Sequence, residues 1–474
     1  MHRSAFLIGL LLVALSAGLP GKASPGAPGL GRPNIVFILT DDEDVKIHGF
    51  MPKTKTLLED QGTVLANFFV TYSLCCPSRA SILRGQYPHN TEIQGNTPPL
   101  GGFAKFAALG RERSTIATWL QGAGYRTVFA GKYLNGYGTE GNGPTHVPPG
   151  WNEWYGGVGG RPYANFNYDM NENGTIVAYG QQPEDYLTDV IARKAVEAIR
   201  RAARARQPVF LYLAPYTPHA PATAAPRHAN LYGDAALPRP PSFNEADLSD
   251  KPMPERRRPL LTPAQIQELE TLYRRRLRSL QAIDDLVESV VAALREAGQL
   301  ENSYIIYTSD NGFHMGEHRL RDGKGRAYEE DIRVPFIVRG PGVPAGRRLT
   351  ALVLNIDIAP TVAEIAGVAP PAFVDGRSFL GLLRGTGALW RRTFLVEWRG
   401  ERVEYNAIRS GEWVYVVWST GGRELYDLRA DPYQLENRAG AADPALTGAL
   451  AGRLRELMRC SGSTCRAAED LPLP

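Results

Sequence analysis

The chain reads as an α/β protein: a sandwich with a large, mostly parallel central sheet flanked by helices, followed by a smaller C-terminal antiparallel sheet packed by a helix. Three observations predict it. Short apolar runs recur along most of the 474 residues, each of a length typical of a strand buried on both faces. Helical patterns lie between them, and strands that alternate with helices favour parallel pairing. After Leu383 the texture changes to β-type segments separated by Gly-containing turns.

Taken in order, Met1-His2-Arg3, an apolar run over 5–15 and a small-residue stretch up to Ala23 read as a secretory signal peptide over 1–23. Residues 24–32 read as a flexible leader. The apolar run is too short to span a bilayer, no other segment approaches that length, and no twin arginine precedes it. The expectation is therefore a secreted or extracytoplasmic protein without a membrane span, exported by the general route. Strands are expected at 34–39, 126–130, 209–214, 304–308 and 334–338. Helices are expected at 54–61, 78–84, 115–123, 186–204 and 263–297. Residues 220–262, rich in Pro and Ala and carrying Arg256-Arg257-Arg258, read as a long surface excursion. In the C-terminal part, strands at 394–398, 405–409 and 413–418 and the segment 424–428 lead into a last helix at 444–459. This divides the chain into a catalytic domain over 33–383 and an α+β subdomain over 384–474, with no internal repeat.

Composition excludes several classes. With 43% hydrophobic and 22% charged residues the mixture is that of a globular protein, not of a disordered, collagen-like or coiled-coil chain. A net charge of +4, from 53 basic and 49 acidic residues, is too mild to argue nucleic-acid binding. The basic set is skewed, 9 Lys against 44 Arg, which matches high-GC coding bias before it matches Arg-based anion recognition. Four cysteines do not make a disulfide scaffold. Cys460 and Cys465 are expected to close a small loop in an oxidising compartment. Cys75 and Cys76 are adjacent, and a vicinal disulfide is strained, so that pair needs another explanation.

Polar groups just beyond buried strands point to chemistry, because ligands of parallel α/β sheets bind at the carboxyl ends of the strands. Asp41-Asp42 follows the first strand and is either a helix cap or a pair of hard-oxygen ligands. Asp310-Asn311-Gly312 follows the strand at 304–308 and is also a common turn sequence. Together they supply four oxygen ligands without cysteine, a set that suits Ca²⁺ or Mg²⁺ better than Zn²⁺.

The segment Cys75-Cys76-Pro77-Ser78-Arg79-Ala80-Ser81-Ile82-Leu83-Arg84-Gly85 resembles the type I sulfatase signature, Cys-x-Pro-Ser-Arg followed by Leu-Thr-Gly. Its one departure is Arg84 where Thr is usual. Further stretches are similar to the branch containing N-acetylglucosamine-6-sulfatases and extracellular heparan sulfatases. They include Tyr87-Pro88-His89-Asn90, Gly131-Lys132-Tyr133-Leu134-Asn135, His146 to Trp151, Asp185 to Val190, Thr217-Pro218-His219, Arg339 to Gly342 and the Cys460 to Cys465 tail. The resemblance implies an alkaline-phosphatase-like fold and sulfate-monoester hydrolysis, with carbohydrate 6-O-sulfates as substrates. It also implies that a maturation enzyme oxidises Cys75 to formylglycine (3-oxoalanine), whose hydrate attacks sulfur and passes through a sulfo-enzyme intermediate.

The same resemblance implies the site. Asp41, Asp42, Asp310 and Asn311 would hold one Ca²⁺ (or Mg²⁺) beside residue 75. Arg79, one helical turn beyond it, would orient the nucleophile. Lys132 and Lys324 would grip sulfate oxygens or protonate the leaving group, and His219 would hold sulfate or act as general acid. Arylsulfatases often place a second histidine where this chain has Leu134, which leaves the proton donor between His219 and Lys324. His89, His314 and His318 are candidate substrate contacts; the Arg256–258 run reads as a solvated surface. The competing expectations are a general arylsulfatase, a formylglycine-dependent phosphonate or phosphate ester hydrolase, and a non-catalytic binder of sulfated glycans. A two-zinc phosphatase is disfavoured by the oxygen-only ligand set. The sequon at Asn173-Gly174-Thr175 matters only in a host that glycosylates secreted proteins.

Overall fold

The computed structural model describes residues 31–253, 255–386, 389–400 and 403–473. The expected signal peptide lies outside the described residues, as does the leader apart from Gly31 and Arg32.

Alternation along Asn34–Thr40 places this strand at the centre. Ile35, Phe37 and Leu39 enter one hydrophobic cluster while Val36 and Ile38 enter another on the opposite face, as a period of two requires. Around it runs a ten-stranded sheet in the spatial order Arg347–Leu349, Thr63–Leu65, Phe336–Arg339, Ser303–Ser309, Asn34–Thr40, Val209–Ala214, Arg126–Gly131, Glu153–Val158, Tyr168–Glu172 and Thr175–Tyr179. The five strands from Ser303–Ser309 to Glu153–Val158 are parallel to one another. Antiparallel pairs flank them on both sides, so the sheet is mixed. The expected run at 334–338 is the strand Phe336–Arg339, and it runs antiparallel to Ser303–Ser309. The chain between these two strands holds a short hairpin, His314–Met315 with Asp322–Gly323, and a one-turn helix, Glu329–Ile332, and no crossover that would carry it back for parallel pairing.

Helices cover both faces. On one side Ile82 and Leu83 of the helix Cys75–Arg84 pack with Ile116 and Leu120 of Ile116–Gly122 and Val362 of Ile358–Ile365. On the other, Val190 and Ile191 of Leu187–Ala205 meet Leu280, Ile283 and Val287 of the long helix Pro263–Glu296. The start of that long helix is set by Thr262, whose side chain accepts from Gln265 N in a capping box, with Pro263 in the first turn.

The C-terminal part is an antiparallel sheet of Thr393–Arg399, Glu404–Ser410, Trp413–Trp418 and Arg423–Asp427. The helix expected at 444–459 is Pro444–Leu457, and a further helix, Ser463–Asp470, follows it. The Cys460–Cys465 disulfide closes the turn between them. Phe394, Leu425, Leu450 and Leu457 belong to the same cluster as the helix Cys75–Arg84, so this sheet shares its core.

The second half of the 220–262 segment is not the surface excursion expected. Ser242, Glu245, Lys251 and Glu255 are buried. Lys251 Nζ donates to the carbonyls of Gln434 and Leu435, both at 2.7 Å, and lies 4.7 Å from the centre of the Tyr426 ring. These contacts fasten the segment to the C-terminal sheet. Arg256 and Arg257 are exposed, as expected.

Two buried ionic contacts tie the C-terminal sheet to the rest. Arg391 is fully buried; its Nη1 and Nη2 pair with Asp357, and its Nε donates to Glu469 Oε2 at 2.9 Å. His89 Nδ1 lies 2.9 Å from Glu397 Oε2 and its Nε2 lies 3.0 Å from the Cys460 carbonyl, so both ring nitrogens face acceptors. Burial alone would lower the His89 pKa, but Glu397 and the Cys460 carbonyl outweigh it and raise it to about 9.

Removing one partner of a fully buried ion pair strands the other, so Arg391→Met is expected to cost about 3–5 kcal/mol of stability, read from denaturant midpoints. The His89 contact has a pH signature. With an unfolded pKa of about 6.5 and a folded one of about 9, its stabilisation is fully present below pH 6.5 and is lost as pH rises through 9. Glu397→Gln is therefore expected to lower the midpoint most at pH 6, with the difference from the parent protein shrinking by pH 10; a pH-independent difference would contradict this.

Candidate active site

Four loops at the carboxyl ends of the parallel strands converge. Thr40 and Ser309 are register partners, and Asp310 N donates to Thr40 O at 3.1 Å, which sets Asp41 beside Asp310. Asp41 N donates to Thr217 O at 3.2 Å, bringing in the loop that carries His219. Lys132 follows Arg126–Gly131, and Gly131 has φ 118°; a Cβ there would lie 2.0 Å from the Ala214 carbonyl, so only glycine fits this approach. The helix Cys75–Arg84 points its N-terminus at the same place. It has no side-chain cap on its first residues, but Asn96 Oδ1 accepts from Cys76 N at 3.0 Å. Pro77 is tolerated because it sits in the first turn, and Arg79, four residues beyond Cys75, shares its face.

The assembled groups form one buried ionic cluster. Lys132 Nζ donates to Asp41 Oδ2 at 2.6 Å, and Arg79 Nε donates to Asp310 Oδ2 at 2.7 Å. Lys324 Nζ donates to Asp42 Oδ1 and lies 2.9 Å from Cys75 Sγ. Cys75 Sγ is 3.5 Å from Asp41 Oδ1, and His219 Nε2 is 3.6 Å from Asp42 Oδ2. Arg79 also donates from Nη1 to the Lys132 carbonyl at 2.8 Å, while its Nη2 is buried without a partner.

Electrostatics follow from this placement. Burial by itself would raise the Asp41 carboxyl, but Lys132, His219, Arg79 and Lys324 outweigh it and hold it below the ordinary carboxylate range. For Asp310 the balance falls the other way: burial and the charge of Asp41 outweigh Arg79 and raise it. Burial opposes the charge of both lysines, yet Asp41 holds Lys132 and Asp42 holds Lys324 above the usual ammonium value. Burial pushes the Cys75 thiol up to about 12 despite the two lysines. An unmodified thiol there stays protonated at neutral pH and is a weak nucleophile.

The donors cluster as a divalent cation requires. Atoms of Asp41, Asp42, Cys75 and His219 lie within 4.8 Å of one another. Asn311 Nδ2 donates to Asp42 Oδ1 at 2.7 Å and to Gly312 O at 2.9 Å, which leaves its buried Oδ1 without a partner. Three carboxylates and an open amide oxygen fit a hard cation such as Ca²⁺.

The structure therefore brings together Cys75, Arg79, Lys132, His219, Lys324, Asp41, Asp42, Asp310 and Asn311. It gives the other three histidines partners elsewhere. His89 is held by Glu397 and the Cys460 carbonyl. His314 Nδ1 lies 2.8 Å from Asp331 Oδ1. His318 Nδ1 lies 2.6 Å from Glu245 Oε2, with its ring stacked 3.9 Å from Tyr328. The last two brace the loop that carries Lys324. Gly325, at φ 100°, backs that loop onto the C-terminal sheet, where a Cβ would lie 2.6 Å from the Trp398 ring.

Sequence reading missed Arg276, Tyr163 and Asn96. Arg276 is buried in the long helix, with Nη2 on the Asp42 carbonyl and Nη1 3.0 Å from Asp44 Oδ2. Its signal was present: a charge on the same helix face as Tyr273 and Leu280, both core residues. Tyr163 lies in a short 3₁₀ turn, Arg161–Ala164, with Lys132 Nζ 5.0 Å from its ring centre and its ring 4.6 Å from that of His219. Neither Tyr163 nor Asn96 carries a pattern that singles it out.

Comparison with known proteins gives the family. The family model described as Sulfatase matches residues 33–368, and the one described as N-sulphoglucosamine sulphohydrolase, C-terminal, matches 316–459. The N-acetylglucosamine-6-sulfatase of Capra hircus is 37% identical over 94% of this chain and 86% of its own length. An arylsulfatase of Chlamydomonas reinhardtii is 35% identical over 97% of this chain and 79% of its own. A solved structure in complex with D-glucosamine-2-N,6-O-disulfate superposes with a TM-score of 0.77 at 22% identity, covering 93% of this chain and 99% of that one, a likeness of fold. Among the described residues no helix is long and apolar enough to cross a membrane. On the family match and the similarity to N-acetylglucosamine-6-sulfatases over most of its length, the chain belongs to the sulfatase family and is a sulfuric ester hydrolase.

Proposed function

We propose that the protein is a secreted, calcium-dependent sulfatase that removes 6-O-sulfate from sugars such as N-acetylglucosamine 6-sulfate, with Cys75 converted to formylglycine. The observation that carries this reading is the placement of Cys75 at a helix start, in contact with Lys324 and Asp41 and next to Arg79 and Lys132. The sugar is supported by the similarity to N-acetylglucosamine-6-sulfatases. Secretion is supported by the N-terminal sequence and by the Cys460–Cys465 bond.

Hydrated, formylglycine supplies two geminal hydroxyls, one to attack sulfur and one whose deprotonation releases sulfate. Bound at Asp41, Asp42, Asp310 and Asn311, Ca²⁺ supplies Lewis-acid polarisation of the ester. The chain's own groups do the rest. Lys132, Lys324 and Arg79, held protonated in a buried site, stabilise the charge that grows on the sulfate oxygens. The helix N-terminus at Cys75 adds its dipole in the same sense. His219 Nδ1 donates to the Ala220 carbonyl at 2.6 Å, which fixes the ring with Nε2 toward Asp42, and the proton for the leaving alcohol comes from His219 or Lys324. Every residue of the helix Cys75–Arg84 is buried, so the maturation enzyme has to act on residue 75 before the chain folds.

Mass spectrometry of the tryptic peptide 56–79 from secreted protein is expected to show an aldehyde in place of the Cys75 thiol. Unmodified cysteine from a host that possesses the maturation enzyme would overturn the nucleophile. Sulfate is expected to be released from N-acetylglucosamine 6-sulfate and not from 2-O- or 4-O-sulfated sugars; equal rates on all three would defeat the assignment of the sugar.

A further inference from the structure

Successive side chains of an extended strand point to opposite faces. Asp41 and Asp42 follow the strand Asn34–Thr40 one after the other, yet both reach the ionic cluster, with one carboxylate oxygen of each within 4.8 Å of the other. The backbone of Asp42 accounts for the convergence. Its φ is 67°, in the left-handed region, where a Cβ crowds the following carbonyl oxygen. That turn breaks the alternation and brings the second carboxylate to the side of the first. A conformation of this kind persists only where its surroundings hold it.

Two contacts hold the Asp42 backbone. Its N–H donates to Asp310 Oδ1 at 3.1 Å, within the ligand set itself, and its carbonyl accepts from Arg276 Nη2, from outside that set. Arg276 lies in the long helix Pro263–Glu296 and is 1% exposed. Its Nη1 lies 3.0 Å from Asp44 Oδ2, and Asp44 Oδ1 caps the one-turn helix Val45–His48 by accepting from Lys46 N at 2.9 Å. The same guanidinium lies 3.1 Å from Met315 Sδ and 4.3 Å from the centre of the Phe313 ring, just past Asn311. One side chain therefore touches both loops that carry the acids. Its Nε is buried and has no hydrogen-bond partner among the described residues. Burying a guanidinium in this way costs stability that an apolar residue of similar size would not, so stability of the fold does not account for an arginine here.

We propose that Arg276 is a positioning residue for the cation site. It holds Asp42 in the left-handed turn that brings both carboxylates to one point, and it keeps that turn in register with the loop of Asp310 and Asn311. It acts through Asp42 and not on the substrate. The inference rests on the reading of Asp41, Asp42, Asp310 and Asn311 as cation ligands. Without the guanidinium Asp42 relaxes toward extended backbone and its carboxylate turns away, so the effect falls first on cation affinity.

The test uses the full-length mature enzyme freed of metal with a chelator, and reads Ca²⁺ binding by calorimetry, which needs no turnover. Arg276→Met keeps the length of the side chain and removes its donors; it is expected to weaken Ca²⁺ binding roughly 10- to 100-fold. Arg276→Lys keeps one donor for the Asp42 carbonyl and is expected to recover part of that loss, binding about 3- to 10-fold more weakly than the parent. Val290→Ala, in the core about 21 Å along the same helix, is expected to lower the melting temperature and to leave the Ca²⁺ dissociation constant within about twofold. Unchanged Ca²⁺ affinity in Arg276→Met would overturn the inference. So would equal weakening in Val290→Ala, because the loss would then follow stability and not position. If Arg276→Met does not fold, Arg276→Lys carries the test, and parental affinity there overturns the inference. If the chelator-treated parent takes up neither Ca²⁺ nor Mg²⁺, the reading of the four residues as cation ligands falls, and this inference falls with it.

Discussion

The burial of three carboxylates against three cations governs this molecule. Asp41, Asp42 and Asp310 lie within the protein with Lys132, Lys324 and Arg79 as partners. Each such ion taken out of water costs several kcal/mol unless its partner is well placed. The acids come from the two central strands, Asn34–Thr40 and Ser303–Ser309. The cations come from elsewhere: a third strand end, the helix Cys75–Arg84 and the Lys324 loop. No single element can bury its own charge, so the site forms only when all are docked. That dependence explains the supports around it, from Arg276 under the Asp42 carbonyl to Gly131 against Ala214.

The C-terminal sheet belongs to the same logic. Gly325 packs on Trp398, so the loop carrying Lys324 leans on strand Thr393–Arg399. Arg391 joins that sheet to Asp357 and Glu469, and Lys251 fastens the middle segment to Gln434 and Leu435. A lysine ammonium needs to be positioned to a few tenths of an ångström to stabilise developing charge.

Much of the fold could be read because burial leaves periodic marks. The strands at 34–39, 209–214 and 304–308 are apolar on both faces and appeared within a residue or two of their observed bounds. The three strands toward one end of the sheet, Glu153–Val158, Tyr168–Glu172 and Thr175–Tyr179, leave no such mark, since they carry glycines and charges, and the last of them exposed positions, in place of an apolar run. The antiparallel course of Phe336–Arg339 could not be read either, because strand direction depends on the path of the connection and not on the strand's own residues. Buried Lys251 sits in a segment whose composition reads as surface; a lone lysine looks solvated until the carbonyls that hold it are known.

What the sequence determined by itself is the chemical inventory: which residues are apolar at which period, and which cysteine, acids and cations stand near the strand ends. Local composition suffices there, because the signature around Cys75 and the carboxylates after each strand are contiguous in the chain. What only the tertiary structure decided is which of these groups meet. Eight histidines occur in the chain, and only the resemblance around Thr217-Pro218-His219 sets His219 apart; the structure puts it 3.6 Å from Asp42 and binds His89 and His318 to Glu397 and Glu245. The physical reason is that a side chain's partner is set by the distance between strands and loops far apart in sequence, and that distance exists only once the sheet is assembled.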